Sequence, residues 1–160
     1  MKKKIKQVGD PILTLVAKHV DDVTQVHALI NEMRHAMTMA EGVGIAAPQL
    51  GVSLRIMIVG SAPNSRYPDA PLMAPITMIN PIILHTGLDK ANDWEGCLSV
   101  AGRRGLVPRF THIDVEYLDE NSQIQRAKFD GFIARIFQHE LDHLNGMTFL
   151  DRAIEVVDIS

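Results

Sequence analysis

Between residues 23 and 37 the apolar positions Val23, Val26, Ile30, Met33 and Met37 recur at intervals of three and four. That spacing lays one apolar stripe along a helix, and Asp21 and Asp22 stand where the positive end of a helix dipole favours acids. An amphipathic helix is predicted over residues 22–40. The period then shortens to two. In SLRIMIV, residues 53–59, Leu54, Ile56 and Ile58 alternate with Arg55 and Met57, a strand pattern. ITMINPIIL, residues 76–84, is apolar and rich in β-branched side chains, a second strand interrupted or edged at Pro81. HIDVEYL alternates Ile113, Val115 and Tyr117, DENS supplies turn residues and QIQRAKF returns, so a hairpin is expected over 112–129.

Two stretches break these patterns. GVGIAAPQLG, residues 42–51, carries three glycines and a proline and reads as an ordered loop in which backbone can approach a ligand. Residues 61–75 hold Pro63, Pro68, Pro71 and Pro75, too many for a helix or a central strand, and read as a surface loop. At the far end Asp130 is placed to cap a helix running to about Asn145, where Gly146 suits a left-handed terminus. The sum is an α+β fold: mostly antiparallel β-sheets packed around a C-terminal helix, with a second helix near the N-terminus.

Composition narrows the class. The 160 residues are 46% hydrophobic and 22% charged, an ordinary globular balance that predicts one domain over 1–160. A net charge of −3 gives no basic field to attract nucleic acid or anionic lipid, so neither direct nucleic-acid binding nor a membrane is expected. MKKKIKQVGDP begins like the basic end of a signal peptide, but Gly9, Asp10 and Pro11 fall where the apolar run belongs. A lone cysteine, Cys97, fits a reducing compartment, which points to the cytoplasm without excluding an organelle.

The chemistry sits on the last helix. Phe132, Ile136, His139 and His143 follow spacings of four, three and four, so they share one face. A lone histidine on such a face is ordinarily a satisfied core residue. Two of them flanking Glu140 as H-E-x-x-H form the pattern of a helical metal site. Such a site usually takes three protein ligands and a water, and the third must be sought elsewhere. The metzincin position for a further histidine is held by Phe149, and Glu155 lies in a tail with little helical pattern. Cys97, beside Gly96 and Glu95 in WEGCLSV, is the candidate: a thiolate with two imidazoles suits zinc or ferrous iron. The other histidines, 19, 27, 35, 85 and 112, have no such companions and read as surface or structural residues.

GVGIAAPQ at 42–49, EGCLS at 95–99 and QHELDH at 138–143 together resemble the three motifs of the peptide deformylases, in that family's order. The resemblance implies hydrolysis of the N-formyl group from formylmethionine at the start of nascent polypeptides, with release of formate. It implies Cys97, His139 and His143 as ligands of one divalent metal, ferrous iron in the cell, with zinc, nickel or cobalt able to take its place. It also implies the side-chain amide of Gln49 and the backbone N–H of Leu98 as donors to the oxyanion, and a substrate contact for Arg104. N-formylmethionyl nascent peptides and a transient contact with the ribosome are the partners it implies.

From the residues themselves, a His/His/Cys site leaves a position for water whose pKa the metal lowers toward ~7, and Glu140 beside a ligand is placed to take its proton. Val43, Phe132 and Ile136 are candidates for an apolar substrate pocket, and the backbone of Val43 and Gly44 for pairing with the substrate as an added strand. Asp142 and Arg109 are expected to pair in support of the helix. Where the family commonly has Pro-Gly after EGCLSV, this chain has Ala101 and Gly102, which predicts a looser loop around Cys97 and Leu98. The chain also ends 14 residues after Gly146 (160 − 146), without the long C-terminal helix of some relatives. Two other readings are a zinc metalloprotease and a noncatalytic, degenerate metal-binding module.

Overall fold

The computed structural model describes residues 4–159, which form two antiparallel sheets and, among the described residues, two α-helices. The larger sheet contains β1 (Gly44–Ala46), β2 (Ile56–Ser61), β3 (Met73–Thr86), β6 (His112–Leu118) and β7 (Ile124–Asp130), side by side in that order. The smaller contains β4 (Lys90–Cys97), β5 (Val100–Phe110) and β8 (Glu155–Asp158). The helices are α1 (His27–Met39) and α2 (Gly131–Leu144).

Strand alternation explains how one sheet serves two cores. Met57 and Val59 of β2 point to one face, where they meet Ile136, Phe137 and Leu144 of α2 with Ile113 and Val115 of β6. Ile56 and Ile58 point to the other, against Ile30, Met33 and Met37 of α1. With both faces covered, β2 must read as the continuous apolar run IMIV. The helix α2 lies against β1, β2, β6 and β7 of the larger sheet and also touches β5 of the smaller, so it joins the two.

Several boundaries differ from those expected. The first helix starts at His27, because Asp22 caps a separate turn of 3-10 helix, Val23–Gln25, by accepting from the Thr24 N–H at 3.0 Å. Asp21 and Asp22 therefore do not sit on the dipole of α1. The 42–51 loop contains the short strand β1 and a 3-10 turn, Ala47–Leu50. The surface loop ends at residue 72, since β3 begins at Met73 and includes Pro75. The interruption at Pro81 is present: pairing of β3 with β6 shifts between Ile79 and Ile82, with Asn80 at φ +50°. Asp130 stands at the N-cap of α2 but its carboxylate is held by His112 Nδ1 at 2.7 Å, so it makes no side-chain cap to the helix. Gly146 has φ +76° and passes so close to the Thr14 carbonyl that a Cβ would stand 2.5 Å from its oxygen.

The β4–β5 hairpin has no counterpart in the sequence pattern. The inward positions of β5 include Gly105 and Arg109 beside Val100 and Val107, so the buried face shows no apolar alternation to read. Gly105 is small because the Phe149 ring lies against it, 2.7 Å from where a Cβ would be.

Candidate metal centre

Helix α2 places His139 and His143 one turn apart, and Cys97 is the last residue of β4. One ligand atom from each of the three lies within 4.8 Å of the other two, and all three residues are buried. The Cys97 sulfur is 3.3 Å from His143 Nε2. Burial alone would push the Cys97 thiol up, but the charges of His143 and His139 outweigh it and hold it well below its ordinary value. The donor set fits a divalent ion of the zinc or ferrous type: two imidazoles and an available thiolate converge on one buried point. Glu155 lies in β8, exposed and opposite Leu106, and is outside this cluster.

A charged cluster lies behind the candidate ligands. Glu95, with 0% of its surface exposed, accepts from His139 Nδ1 at 2.8 Å, which leaves Nε2 of that ring to face Cys97. The same carboxylate accepts from Arg109 Nε and Nη2 at 2.9 and 3.0 Å and from Arg135 Nη1 at 2.7 Å. Burial pushes the Glu95 carboxyl up, but hydrogen bonds from His139 and Arg109 and their positive charge win, so it stays well below the carboxylate range. Arg109 continues to Asp142 at 2.6 Å, the expected pair, and Asp142 also accepts from Arg152 Nε at 2.7 Å. Arg135 was not foreseen; its one sequence signal is its place four residues before His139 on the same helix.

Glu140 points into the site. It is 3% exposed, and its Oε1 has no hydrogen-bond partner among the described residues. Burial pushes its carboxyl up to about 7, opposed by the charges of His139 and His143. Gly44 is the reason it fits: a Cβ there would stand 2.7 Å from Glu140 Oε2.

The cleft beside Cys97 and His139 is lined by Val43, Gly44, Gln49, Leu98, Ile136 and Glu140, with Arg66, Tyr67 and Gly96. Its volume is about 20 Å³, room for about one water. Arg66 and Tyr67 also line an adjoining cavity of about 380 Å³, and there Phe132 and Arg104 are found, with Trp94. The predicted pocket residues therefore divide between two compartments. Arg104 lies over the Tyr67 ring, 5.5 Å from its centroid, and donates to the Arg66 carbonyl at 3.3 Å. Arg66 and Tyr67 escaped sequence reading because they stand in the proline-rich stretch, where no periodicity marks an inward side chain.

Gln49 is 1% exposed. Its Oε1 accepts from Ala46 N–H at 2.9 Å, which aims Nε2 toward Ser99 Oγ at 3.0 Å and the Cys97 sulfur at 3.8 Å. Leu98 and Ser99 form the two-residue turn between Cys97 and Val100. The N-terminal segment straps this region down: Lys6 N–H donates to the Gln49 carbonyl at 2.7 Å and Val8 N–H to that of Ser99 at 2.8 Å. The Gln7 side chain donates to the Leu98 carbonyl at 3.0 Å. The loop around Cys97 and Leu98, which Ala101 and Gly102 were expected to loosen, thus has contacts from a distant part of the chain.

Two imidazoles and a thiolate around one point, with a buried carboxylate on the ligand helix, define a metallohydrolase-type centre on an α+β scaffold. The chain belongs to the polypeptide deformylase family, whose model matches residues 2–158. It is 47% identical over 150 residues to peptide deformylase 2 of Nostoc sp., covering 92% of this chain and 84% of that one. It is 45% identical to peptide deformylase 1 of Bordetella pertussis, covering 92% and 85%. Among solved structures, a class I type b peptide deformylase from Acinetobacter baumannii in its Met-Ala-Ser-bound form superposes with TM-score 0.91 at 42% identity, covering 95% of this chain and 98% of that one. A probable peptide deformylase from synechococcus phage S-SSM7 superposes with TM-score 0.83 at 34% identity, covering 94% and 99%.

Proposed function

We infer that the protein is a peptide deformylase, a metal-dependent hydrolase that removes the N-formyl group from formylmethionine at the start of nascent polypeptides and releases formate. The observation that carries this is the Glu140 carboxylate, buried with one oxygen unpaired, beside Cys97, His139 and His143 in a chain of that family. Neither a noncatalytic module nor an endoproteolytic metalloprotease matches the family assignment.

Cys97, His139 and His143 would hold the metal, which would supply acidification of a water and polarisation of the formyl carbonyl. Glu140 Oε1 accepts the proton of the attacking water and returns it to the departing amine nitrogen. Gln49 Nε2 and the Leu98 N–H donate to the oxygen that gains charge at the formyl carbon. The strap over residues 49, 98 and 99 supports this role, because donors help most when they are in place before the charge develops. The cleft of about 20 Å³ admits a group no larger than a formyl, and the methionine side chain enters the adjoining cavity past Tyr67 toward Phe132. Ile136 and Val43 wall the passage, and Arg104 at the cavity edge meets the peptide.

Strand β1 is an edge of its sheet, so the substrate backbone has a strand to join. The Val43 carbonyl already accepts from Gly60 N–H at 2.7 Å, which turns the next residue's groups away from β2 and gives the pairing to Gly44. Backbone recognition tolerates many downstream sequences, as processing of varied nascent chains requires. The A. baumannii relative bound to Met-Ala-Ser supports a peptide with N-terminal methionine as product. Ferrous iron is the native metal in this reading because the family resemblance implies it; two imidazoles and a thiolate accept zinc, nickel and cobalt as well. The enzyme acts as one catalytic domain in the cytoplasm with transient ribosome contact; no helix of the described residues is long and apolar enough to cross a membrane.

The test is formate release from a formyl-Met peptide under anaerobic conditions by iron-loaded protein, beside its Glu140→Ala variant and an unformylated, internally cleavable peptide. Turnover of the formylated peptide alone, lost in the variant, is the expected result. Cleavage of the unformylated peptide would overturn the assignment.

A further inference from the structure

Two of the three proposed ligands are fixed by a helix, and the third is not. His139 and His143 ride on α2, whereas Cys97 ends β4 where the ladder to β5 is broken: Glu95 pairs with Gly105, but Cys97 pairs with Val100, so residues 101–104 of β5 bow away from Gly96. A strand end without its ladder bonds needs another partner for its backbone groups. Tyr67 supplies it. The Gly96 N–H donates to the Tyr67 hydroxyl at 2.9 Å, and that hydroxyl donates to the Gly96 carbonyl at 3.3 Å.

Tyr67 is itself well held. Asn64 Oδ1 accepts from the backbone N–H groups of Arg66 and Tyr67 at 3.0 and 2.7 Å, closing a local turn within the β2–β3 loop. The ring packs edge-on against Phe132 of α2, with centroids 5.0 Å apart. A single side chain therefore ties the ligand helix, through Phe132, to the residue lying between Glu95 and Cys97.

We propose that Tyr67 is a positioning residue for the metal centre: its hydroxyl takes the place of the missing ladder bonds at Gly96 and so fixes where the Cys97 sulfur and the adjoining Leu98 turn stand relative to His139 and His143. The inference rests on Cys97 being a ligand and goes beyond the family motifs, none of which contains Tyr67.

The test is Tyr67→Phe, which removes the hydroxyl and keeps the ring against Phe132, compared with Cys97→Ser. In cobalt-loaded protein the thiolate-to-metal charge-transfer band of Tyr67→Phe is expected to shift, and metal dissociation measured against a chelator to rise roughly tenfold, the size typical of lost support behind a ligand. The kcat for a formyl-Met peptide should fall by a similar factor while KM changes less than about twofold, because the pocket wall is retained. An unchanged band and unchanged metal affinity in Tyr67→Phe would overturn the proposal, and so would a change in KM alone, which would make Tyr67 only a wall of the pocket. If Cys97→Ser keeps the charge-transfer band, the ligand assignment itself falls, a failure distinct from the first.

Discussion

Glu95→Gln tests the charged cluster behind the ligands most directly. The substitution preserves shape and the acceptor that His139 uses, but it removes the negative charge shared by Arg109 and Arg135 in a place with 0% exposure. Removing one partner of a buried ion pair costs roughly 3–5 kcal/mol, because the remaining charge stays buried without compensation. Arg109 keeps Asp142 at 2.6 Å and Arg135 keeps the Val107 carbonyl at 2.8 Å, so the lower end applies. At roughly 2–4 °C per kcal/mol for a chain of this size, about 3 kcal/mol lowers the thermal midpoint by about 6–12 °C. The pH dependence follows from the depressed carboxyl of Glu95. Its stabilisation is fully present above the unfolded value of 4.5 and is lost as pH falls from there toward the lower folded value. Calorimetry of metal-free protein should therefore show the deficit of the variant undiminished at pH 7 and shrinking below about pH 4. Weaker orientation of His139 should also raise the metal dissociation constant roughly 10- to 100-fold in chelator competition. A midpoint within about 2 °C of the parent at pH 7, with unchanged metal affinity, would refute the cluster's role.

Glu140→Gln should lower kcat about 10²- to 10⁴-fold in the formate assay, the usual loss for a general base. The same variant should melt higher than the parent at pH 8 when metal-free: a carboxyl pushed up to about 7 by burial costs stability above that pH, and the cost vanishes below its unfolded value of 4.5. Gly44→Ala sets a methyl 2.7 Å from Glu140 Oε2, and the displaced base should cost roughly 10²-fold in kcat with little change in melting, measured by kinetics and calorimetry side by side. His112, raised above 6.5 chiefly by its hydrogen bond to Asp130 and also by Asp114, stabilises the fold through these two carboxylates while protonated. Its contribution is present below pH 6.5 and lost as pH rises through the raised value, so His112→Gln should lower the melting temperature more at pH 6 than at pH 9.

The chemistry of this protein is local in sequence, which is why so much of it can be read there. His139, Glu140 and His143 need only helical periodicity to share a face, and the α2 pattern from Phe132 onward announces it. Cys97 could be singled out because no other thiol exists in the chain. The strands β2, β3 and β6 carried apolar alternation or runs because the larger sheet buries apolar side chains, whereas β7, with no fully buried residue, was marked by the turn before it. The β4–β5 hairpin did not, since its inward face holds Glu95, Gly105 and Arg109, residues selected for charge and close approach. The start of α1 was misplaced because Asp22 caps whatever turn follows it, and a 3-10 turn accepts the same cap as a helix.

By itself the sequence determined the fold class, the ligand helix with its buried glutamate, and the three motifs that mark the family, since each depends on spacing along one element or on residue identity. Tertiary structure alone decided which distant groups complete the site. Arg135 joins Glu95 across 40 residues, Lys6, Gln7 and Val8 reach the turns at 49 and 98–99, and Tyr67 reaches Gly96 from a proline-rich loop. These contacts join segments that no periodicity relates, and they form only when packing of the two sheets around α2 brings them within hydrogen-bond range.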